Sequence, residues 1–328
     1  MRKILLASTA LVAVAGISAA SAEISLSGGS DVSYTSVSDD ITDNATAGEN
    51  GTSMASDTDL KAAWSTTTDS GLVIAVNYDI DGDSGDASIT GDWGTFTYDD
   101  GNEAMGVGGG DADSVSNMGI TGSTTPTYTG GESIGGGMVA YSNTIGGITF
   151  GIGMGDGGTT SEANETSYGV SYSASVNGAD VSVSYAAANT GAANTAAAST
   201  DLTASSMAVG VTVGKVSLAA AQNASKQDRV DDNTSATGAA DMKSTNMGVT
   251  YAVTDSLTLE AASVAASGTT AGSADYKYDE SAYGVAYTIA TGLTLTASYS
   301  DWTESGTGAS TGADVSGTGT TVKLAVSF

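Results

Sequence analysis

Large apolar residues alternate with small or polar residues along most of the chain. The clearest stretches are Leu72–Ile80, Ile148–Met154, Met207–Val213 and Leu293–Tyr299. Nearly every second residue in them is aliphatic or aromatic, and most of the others are Gly, Ala, Ser, Thr or Asn. A period of two predicts β-strands with one apolar face and one polar face.

The two ends of the chain suggest which medium meets the apolar face. Residues 1–22 have the three parts of a secretory signal: Arg2 and Lys3, then the apolar run Ile4–Ile17, then the small residues Ala20–Ala22. The chain ends in an alternating strand, Thr320–Phe328. We therefore predict a signal peptide at 1–22, a single exported domain at 23–328, and lipid as the apolar medium.

Connections between the alternating segments are short and long in turn. Tight turns are predicted at Asp69–Gly71, Asn177–Gly178, Gly214–Lys215, Thr254–Ser256 and Ala290–Gly292. Long acidic loops rich in Gly, Ser and Thr are predicted at about 36–57, 99–136, 189–201, 226–243, 268–279 and 304–317. Turns at one end and loops at the other are typical of outer-membrane barrels.

Sixteen strands follow from this pattern, and the predicted fold is an all-β, sixteen-stranded antiparallel transmembrane β-barrel. Closing the sheet pairs every strand edge, as lipid requires. A soluble sandwich would need large side chains on the second face, and that face has almost none. A β-helix would need a fixed short repeat, and the sequence has none. The predicted strands are 23–35, 58–68, 71–80, 86–93, 95–99, 137–144, 148–155, 165–176, 179–188, 202–213, 216–225, 244–253, 257–267, 280–289, 293–302 and 318–328.

The composition excludes several classes of function. The chain has 37 acidic and nine basic residues, no cysteine and no histidine. Nucleic acid is therefore not an expected partner, and a Ser-His-Asp hydrolase cannot be assembled. A barrel enzyme that uses a pair of carboxylates stays open as a less favoured alternative.

Five segments resemble the sixteen-stranded general porins of alpha-proteobacterial type. They are Glu23–Gly28, Trp64–Leu72, Ile89–Asp99, Tyr283–Tyr287 and Val322–Phe328. The resemblance implies a homotrimer of water-filled barrels in the Gram-negative outer membrane. It also implies passive transport of ions and small hydrophilic solutes, without a catalytic step or a cofactor.

In such porins the long loop after the fifth strand folds inward and narrows the pore. Here that loop is about 99–136. The candidate acidic side of the constriction is Asp99, Asp100, Glu103, Asp111, Asp113 and Glu132.

The last residue, Phe328, resembles the signal that the outer-membrane insertion machinery reads.

The basic residues depart from the family pattern. The family usually places several arginines opposite the constriction loop, whereas Arg229 is the single arginine beyond the signal and is predicted in an outer loop. Lys61 and Lys323 have the parity of the lumen. An acidic constriction without arginines predicts a preference for cations.

A short acidic segment resembles part of a calcium-binding loop. Asp81, Asp83 and Asp86 are spaced like the start of a calcium loop, but no glutamate follows at the twelfth position, so a solvated acidic turn is favoured over a dedicated site. Loose binding of calcium at the outer loops stays open. So does the alternative function of a surface protein that binds calcium or a partner and forms no pore.

Several aromatic residues are predicted to face outward, as in the aromatic belts of membrane proteins. They are Tyr168, Tyr172, Tyr185, Tyr251, Tyr283, Tyr287, Tyr299 and Trp302.

Overall fold

The computed structural model describes the greater part of residues 23–328. Its described ranges are 23–39, 51–80, 84–99, 138–155, 165–190, 199–230, 240–270, 274–306 and 314–328. The predicted signal peptide at 1–22 lies outside them and stays a prediction.

Sixteen strands make up the described fold. They are β1 (Glu23–Asp39), β2 (Gly51–Thr67), β3 (Val73–Asp79), β4 (Ser84–Gly91), β5 (Gly94–Asp99), β6 (Met138–Ile145), β7 (Ile148–Gly155), β8 (Glu165–Val176), β9 (Ala179–Thr190), β10 (Ser199–Val213), β11 (Val216–Val230), β12 (Ala240–Ala252), β13 (Leu257–Thr270), β14 (Ala274–Ala290), β15 (Leu293–Ser305) and β16 (Val315–Ser327). All sixteen predicted strands are found.

Each strand pairs antiparallel with its neighbours in sequence, and β16 pairs with β1, so the sheet closes into a barrel. At the seam the Gly28 amide donates to the Phe328 carbonyl at 3.1 Å, and the Phe328 amide donates to the Gly28 carbonyl at 3.0 Å. The predicted fold class is confirmed. No helix that could span a membrane occurs in the described ranges.

The tight turns lie at one end of the barrel, and their backbone conformations explain their sequences. Asn177 has φ 52° and Gly178 has φ 81°, while Gly146 and Gly147 have φ 61° and 84°. Two consecutive positive φ angles define a type I′ hairpin, whose twist matches the twist of the paired strands. Asn and Gly occupy these positions because they tolerate the left-handed conformation best.

Large apolar side chains cover the outside of the barrel. On β8, for example, Tyr168, Val170 and Tyr172 are 54%, 42% and 45% exposed. The register places them beside Ile152, Phe150 and Ile148 of β7, so that the outward positions of adjacent strands form continuous rows. A continuous apolar surface of this kind is a lipid-facing belt. We call it the apolar belt.

Several strands extend further toward the loop end than their alternating segments predict. β14 begins at Ala274 instead of near residue 280, and β1 ends at Asp39 instead of near residue 35. The prediction that Arg229 lies in an outer loop is wrong, because β10 and β11 stay paired as far as Ser199 and Val230 and Arg229 is opposite Thr200. Hydrogen bonding between the strands therefore continues beyond the apolar belt.

Candidate functional site: the barrel lumen

The face opposite the apolar belt lines the lumen and carries small and polar residues. On β2 the outward residues Leu60, Ala62 and Trp64 alternate with Asp59 and Lys61, which are therefore on the lumen face. Asp57 precedes Asp59 on the same face. Asp57, Asp59 and Lys61 are all exposed. This part of the lumen wall is charged and accessible to water.

Lys323 forms an ion pair across the seam that closes the barrel. Its Nζ lies 2.6 Å from Oδ2 of Asp31, and the two side chains are 44% and 21% exposed. The register explains the contact: Lys323 is opposite Ser33 on β1, and Asp31 is two residues along on the same face. One of the two predicted lumen lysines is thus already neutralised by a carboxylate.

Lys61 lies on the lumen face between two neighbouring strands. The register places it opposite Ser27 on β1 and opposite Asp79 on β3. Within the described ranges Lys61 has no ion pair. It is the other lysine predicted at the lumen, and its role in ion passage stays a prediction.

A second acidic group continues along the same wall. Asp86 accepts a hydrogen bond from Asn77 Nδ2 at 2.7 Å and is paired in register with Asp99 at the end of β5. Asp86 is therefore part of the lumen face of β4. Its two companions in the candidate calcium motif, Asp81 and Asp83, lie outside the described residues. No cluster of three metal-ligating side chains occurs within the described ranges.

The lumen face of β12–β15 differs from the β1–β4 wall, because it packs large side chains near the loop end. Met242, Val264, Tyr276 and Tyr278 form a buried cluster, and Ala266 and Trp302 pack against it. The rings of Tyr278 and Trp302 are stacked, with centroids 6.4 Å apart. This cluster was not predicted from the sequence, although Tyr276, Tyr278 and Trp302 all have the lumen parity.

Trp302 corrects one prediction directly. It was predicted to face outward, but it is opposite Glu280 of β14 and Gly317 of β16, both on the lumen face. The outward residues of β15 are odd-numbered, as Tyr299 and Leu295 show. The parity of this strand, counted from Leu293, was sufficient to place Trp302 correctly.

Two carboxylates are buried on this second wall. Glu280 is 3% exposed and Glu260 is 5% exposed. Tyr278 donates its hydroxyl to Glu280 Oε2 at 3.0 Å. Asn246 of β12, opposite Val264, is completely buried. These groups are therefore shielded from the solution in the lumen, unlike Asp57 and Asp59.

Of the six predicted constriction residues, only Asp99 lies in a range that the structure describes. Asp100, Glu103, Asp111, Asp113 and Glu132 lie outside the described residues, and Asp99 is known only by its position at the end of β5. The terminal residue Phe328 is 76% exposed on the belt side, and its ring lies over Gly28, where a Cβ would contact it.

Acidic residues outnumber lysines among the lumen-facing side chains that the structure describes. The basic ones are Lys61 and Lys323. The acidic ones are Asp31, Asp57, Asp59, Asp79, Asp86, Asp180, Glu260, Glu280 and Glu304. The lumen therefore has a negative electrostatic character.

A closed antiparallel barrel with an apolar belt outside and a charged inner face is a transmembrane β-barrel of the channel type. A family model described as Gram-negative porin matches residues 7–307. The chain belongs to the Gram-negative porin family, and it is an outer-membrane β-barrel with many membrane-spanning strands.

Solved structures of porins and of another outer-membrane protein share this fold at low sequence identity. A porin refined at 1.8 Å has a TM-score of 0.65 and 18% identity, covering 93% of this chain and 100% of its own. The trimer form of OmpT from Vibrio cholerae has a TM-score of 0.64 and 13% identity, covering 94% and 99%.

An anion-selective porin from Comamonas acidovorans has a TM-score of 0.63 and 14% identity, covering 94% of this chain and 100% of its own. At such identities the likeness establishes the fold alone. A comparison with curated protein sequences finds no match.

Proposed function

We propose that this protein is a general diffusion porin that passes ions and small hydrophilic solutes and prefers cations. The observation that carries the cation preference is the exposed acidic wall of β1–β4. Asp57 and Asp59 are exposed to the lumen, and the one lysine beside them, Lys61, does not balance their charge. Fixed charge of one sign in a pore attracts ions of the opposite sign.

The porin of Comamonas acidovorans, which is described as anion-selective, has the same fold. A shared fold does not determine ion selectivity, which depends on the charges that line each lumen. In this chain the wall lysines are few and Lys323 is paired with Asp31. That balance favours cations.

Several finer features belong to the same proposal. They are a homotrimer, as in the trimer form of OmpT, and an inward loop at about 99–136 that narrows the pore. We also propose that the chain is of alpha-proteobacterial type, that its signal peptide is removed after residue 22, and that Phe328 is read by the insertion machinery. The mechanism requires no enzymatic step and no cofactor; calcium at outer loops would be bound loosely.

The diffusion function is tested by permeability of vesicles that contain the purified, folded protein. We expect swelling in solutions of small sugars, at rates that fall steeply as the sugar becomes larger. In planar bilayers the insertion of one trimer should produce three conductance levels. Folded barrels that admit neither sugars nor ions would contradict the proposal.

A further inference from the structure

Hydroxyl groups line the turn end of the lumen. Every strand except β3 has a serine or threonine on its lumen face at or near its turn end, and none of these side chains is buried. We call these side chains the hydroxyl ring; it is polar and has no charge. Hydrogen bonds across hairpins join some of its members, namely Thr90 with Thr95 (3.0 Å), Thr144 with Thr149 (2.7 Å) and Thr212 with Ser217 (2.9 Å).

The exposed acidic residues of the lumen lie further toward the loop end. Asp59 is roughly 20 Å along β2 from Ser65 of the hydroxyl ring, and Lys61 lies between them. Asp57 is one step further toward the loops, opposite Asp31 of β1. The acidic wall and the hydroxyl ring are therefore separated along the axis of the pore.

Little fixed charge lies at the level of the hydroxyl ring among the described lumen residues. Asp180 of β9 is exposed there and accepts a hydrogen bond from Ser175. Glu260 lies toward the same end but is only 5% exposed, and Lys323 is paired with Asp31. The internal segments outside the described ranges all join strands at the loop end, and they contain acidic but no basic residues. Negative charge is therefore concentrated in the loop half.

Fixed charge in one half of a narrow aqueous pore makes the conductance depend on the direction of the current. The acidic half carries mostly cations, because it repels anions, whereas the uncharged half carries ions of both signs. When cations move from the loop end to the turn end, the acidic half delivers more of them than the uncharged half removes. Anions that enter from the turn end are stopped at the same boundary. Ions accumulate there and the conductance rises, whereas the opposite direction depletes them and lowers it.

We propose that the barrel is a rectifying pore that conducts cations more readily from the loop end to the turn end than in the reverse direction. The separation of the acidic wall from the hydroxyl ring along the pore axis carries this inference. It rests on the proposed function, because only an open, cation-preferring pore can rectify in this way. The effect should be strongest in dilute salt, since the screening length is about 30 Å at about 0.01 M and about 3 Å at about 1 M.

The test is the current–voltage curve of the purified, folded protein in a planar bilayer, with the same concentration of potassium chloride on both sides. At about 0.01 M we expect the currents at equal positive and negative voltages to differ about twofold, and at about 1 M we expect them to be equal. A biotin attached to the turn variant S70C reports the orientation of the barrel. Streptavidin is too large to enter the pore, so it lowers the conductance only from the side of the turns.

Two single substitutions form a matched pair, because each removes one exposed carboxylate from the lumen. D59N, in the acidic half, should bring the ratio of the two currents closer to one, whereas D180N, at the hydroxyl ring, should raise it. Equal changes in D59N and D180N would overturn the inference. Wild-type barrels that conduct equally in both directions in dilute salt would also overturn it and leave the porin function intact. Folded barrels without conductance would contradict the porin function itself, and this inference with it.

Discussion

At the residue scale, the ion pair between Lys323 and Asp31 joins β16 to β1, the two strands whose pairing closes the barrel, and lies on the lumen face. Changing Lys323→Gln removes the positive partner and leaves Asp31 as an added lumen carboxylate. We expect a stronger cation preference, measured as a shift of the reversal potential across a salt gradient. Stability should change by less than about 1 kcal/mol, because the pair is partly exposed to water.

The double variant D31N/K323Q is the control for this prediction. It removes one charge of each sign, so its reversal potential should return close to that of the wild type. If K323Q and D31N/K323Q have the same selectivity, the Asp31 carboxylate does not contribute to the field in the pore.

A second prediction concerns Gly317, which is covered by the ring of Trp302. A Cβ at Gly317 would lie well inside the van der Waals contact distance of that ring. We expect Gly317→Ala to displace Trp302 and lower the free energy of unfolding by about 1–3 kcal/mol. Urea unfolding followed by tryptophan fluorescence measures this.

Gly51→Ala is the matched control, because no atom lies within 4 Å of a Cβ at Gly51. Its unfolding midpoint should remain that of the wild type. An unchanged midpoint for Gly317→Ala would mean that the Trp302 side chain moves aside at little cost.

At the element scale, the hairpin turns are determined by a few residues. Gly178 has φ 81°, a conformation that is costly for a β-branched residue. We expect Gly178→Val to destabilise the barrel by about 1–2 kcal/mol, and Asn177→Gly to change stability by less than about 0.5 kcal/mol. Urea midpoints of the two variants provide the comparison; equal midpoints would contradict the turn assignment.

The strands illustrate what could be predicted from sequence and what could not. Alternation located all sixteen, because the apolar belt imposes a period of two on every strand. It failed beyond the belt, where β14 carries Asp275, Lys277 and Asp279 on the outward side. There the strand is held by hydrogen bonds to β13 and β15, which leave no hydrophobic pattern in the sequence.

Alternation along the strands predicted only some of the residues that line the lumen. Parity alone placed Lys61 and Lys323 on the lumen face, since a one-residue step reverses the face of a strand. The cluster of Met242, Tyr276 and Tyr278 was missed because the lumen was expected to contain only small and polar residues. Partners across strands, such as Asp31 for Lys323, follow from register, which depends on tertiary pairing.

At the scale of the whole molecule, the lumen wall has an exposed, acidic part on β1–β4 and a packed part on β12–β15, which β16 separates along one side. Glu260 and Glu280 are buried, whereas Asp57 and Asp59 of β2 are exposed, so among the described lumen carboxylates those of β2 are accessible to passing ions. We expect D57N/D59N to weaken cation selectivity severalfold in dilute salt. The effect should shrink in 1 M salt, where the screening length is about 3 Å.

Its control is D69N/D255N, which removes the same charge from two turns at the end of the barrel. Those turns lie outside the lumen wall, so selectivity should remain as in the wild type. A matching loss of selectivity in both double variants would point to net charge rather than to the lumen wall.

We propose that the barrel is an open, water-filled pore with an acidic inner wall. The most direct test is the reversal potential of the purified, folded protein in a planar bilayer across a tenfold gradient of potassium chloride. We expect stepwise conductance and a potential whose sign shows that potassium passes more readily than chloride. A potential of the opposite sign, or no conductance from folded barrels, would contradict it.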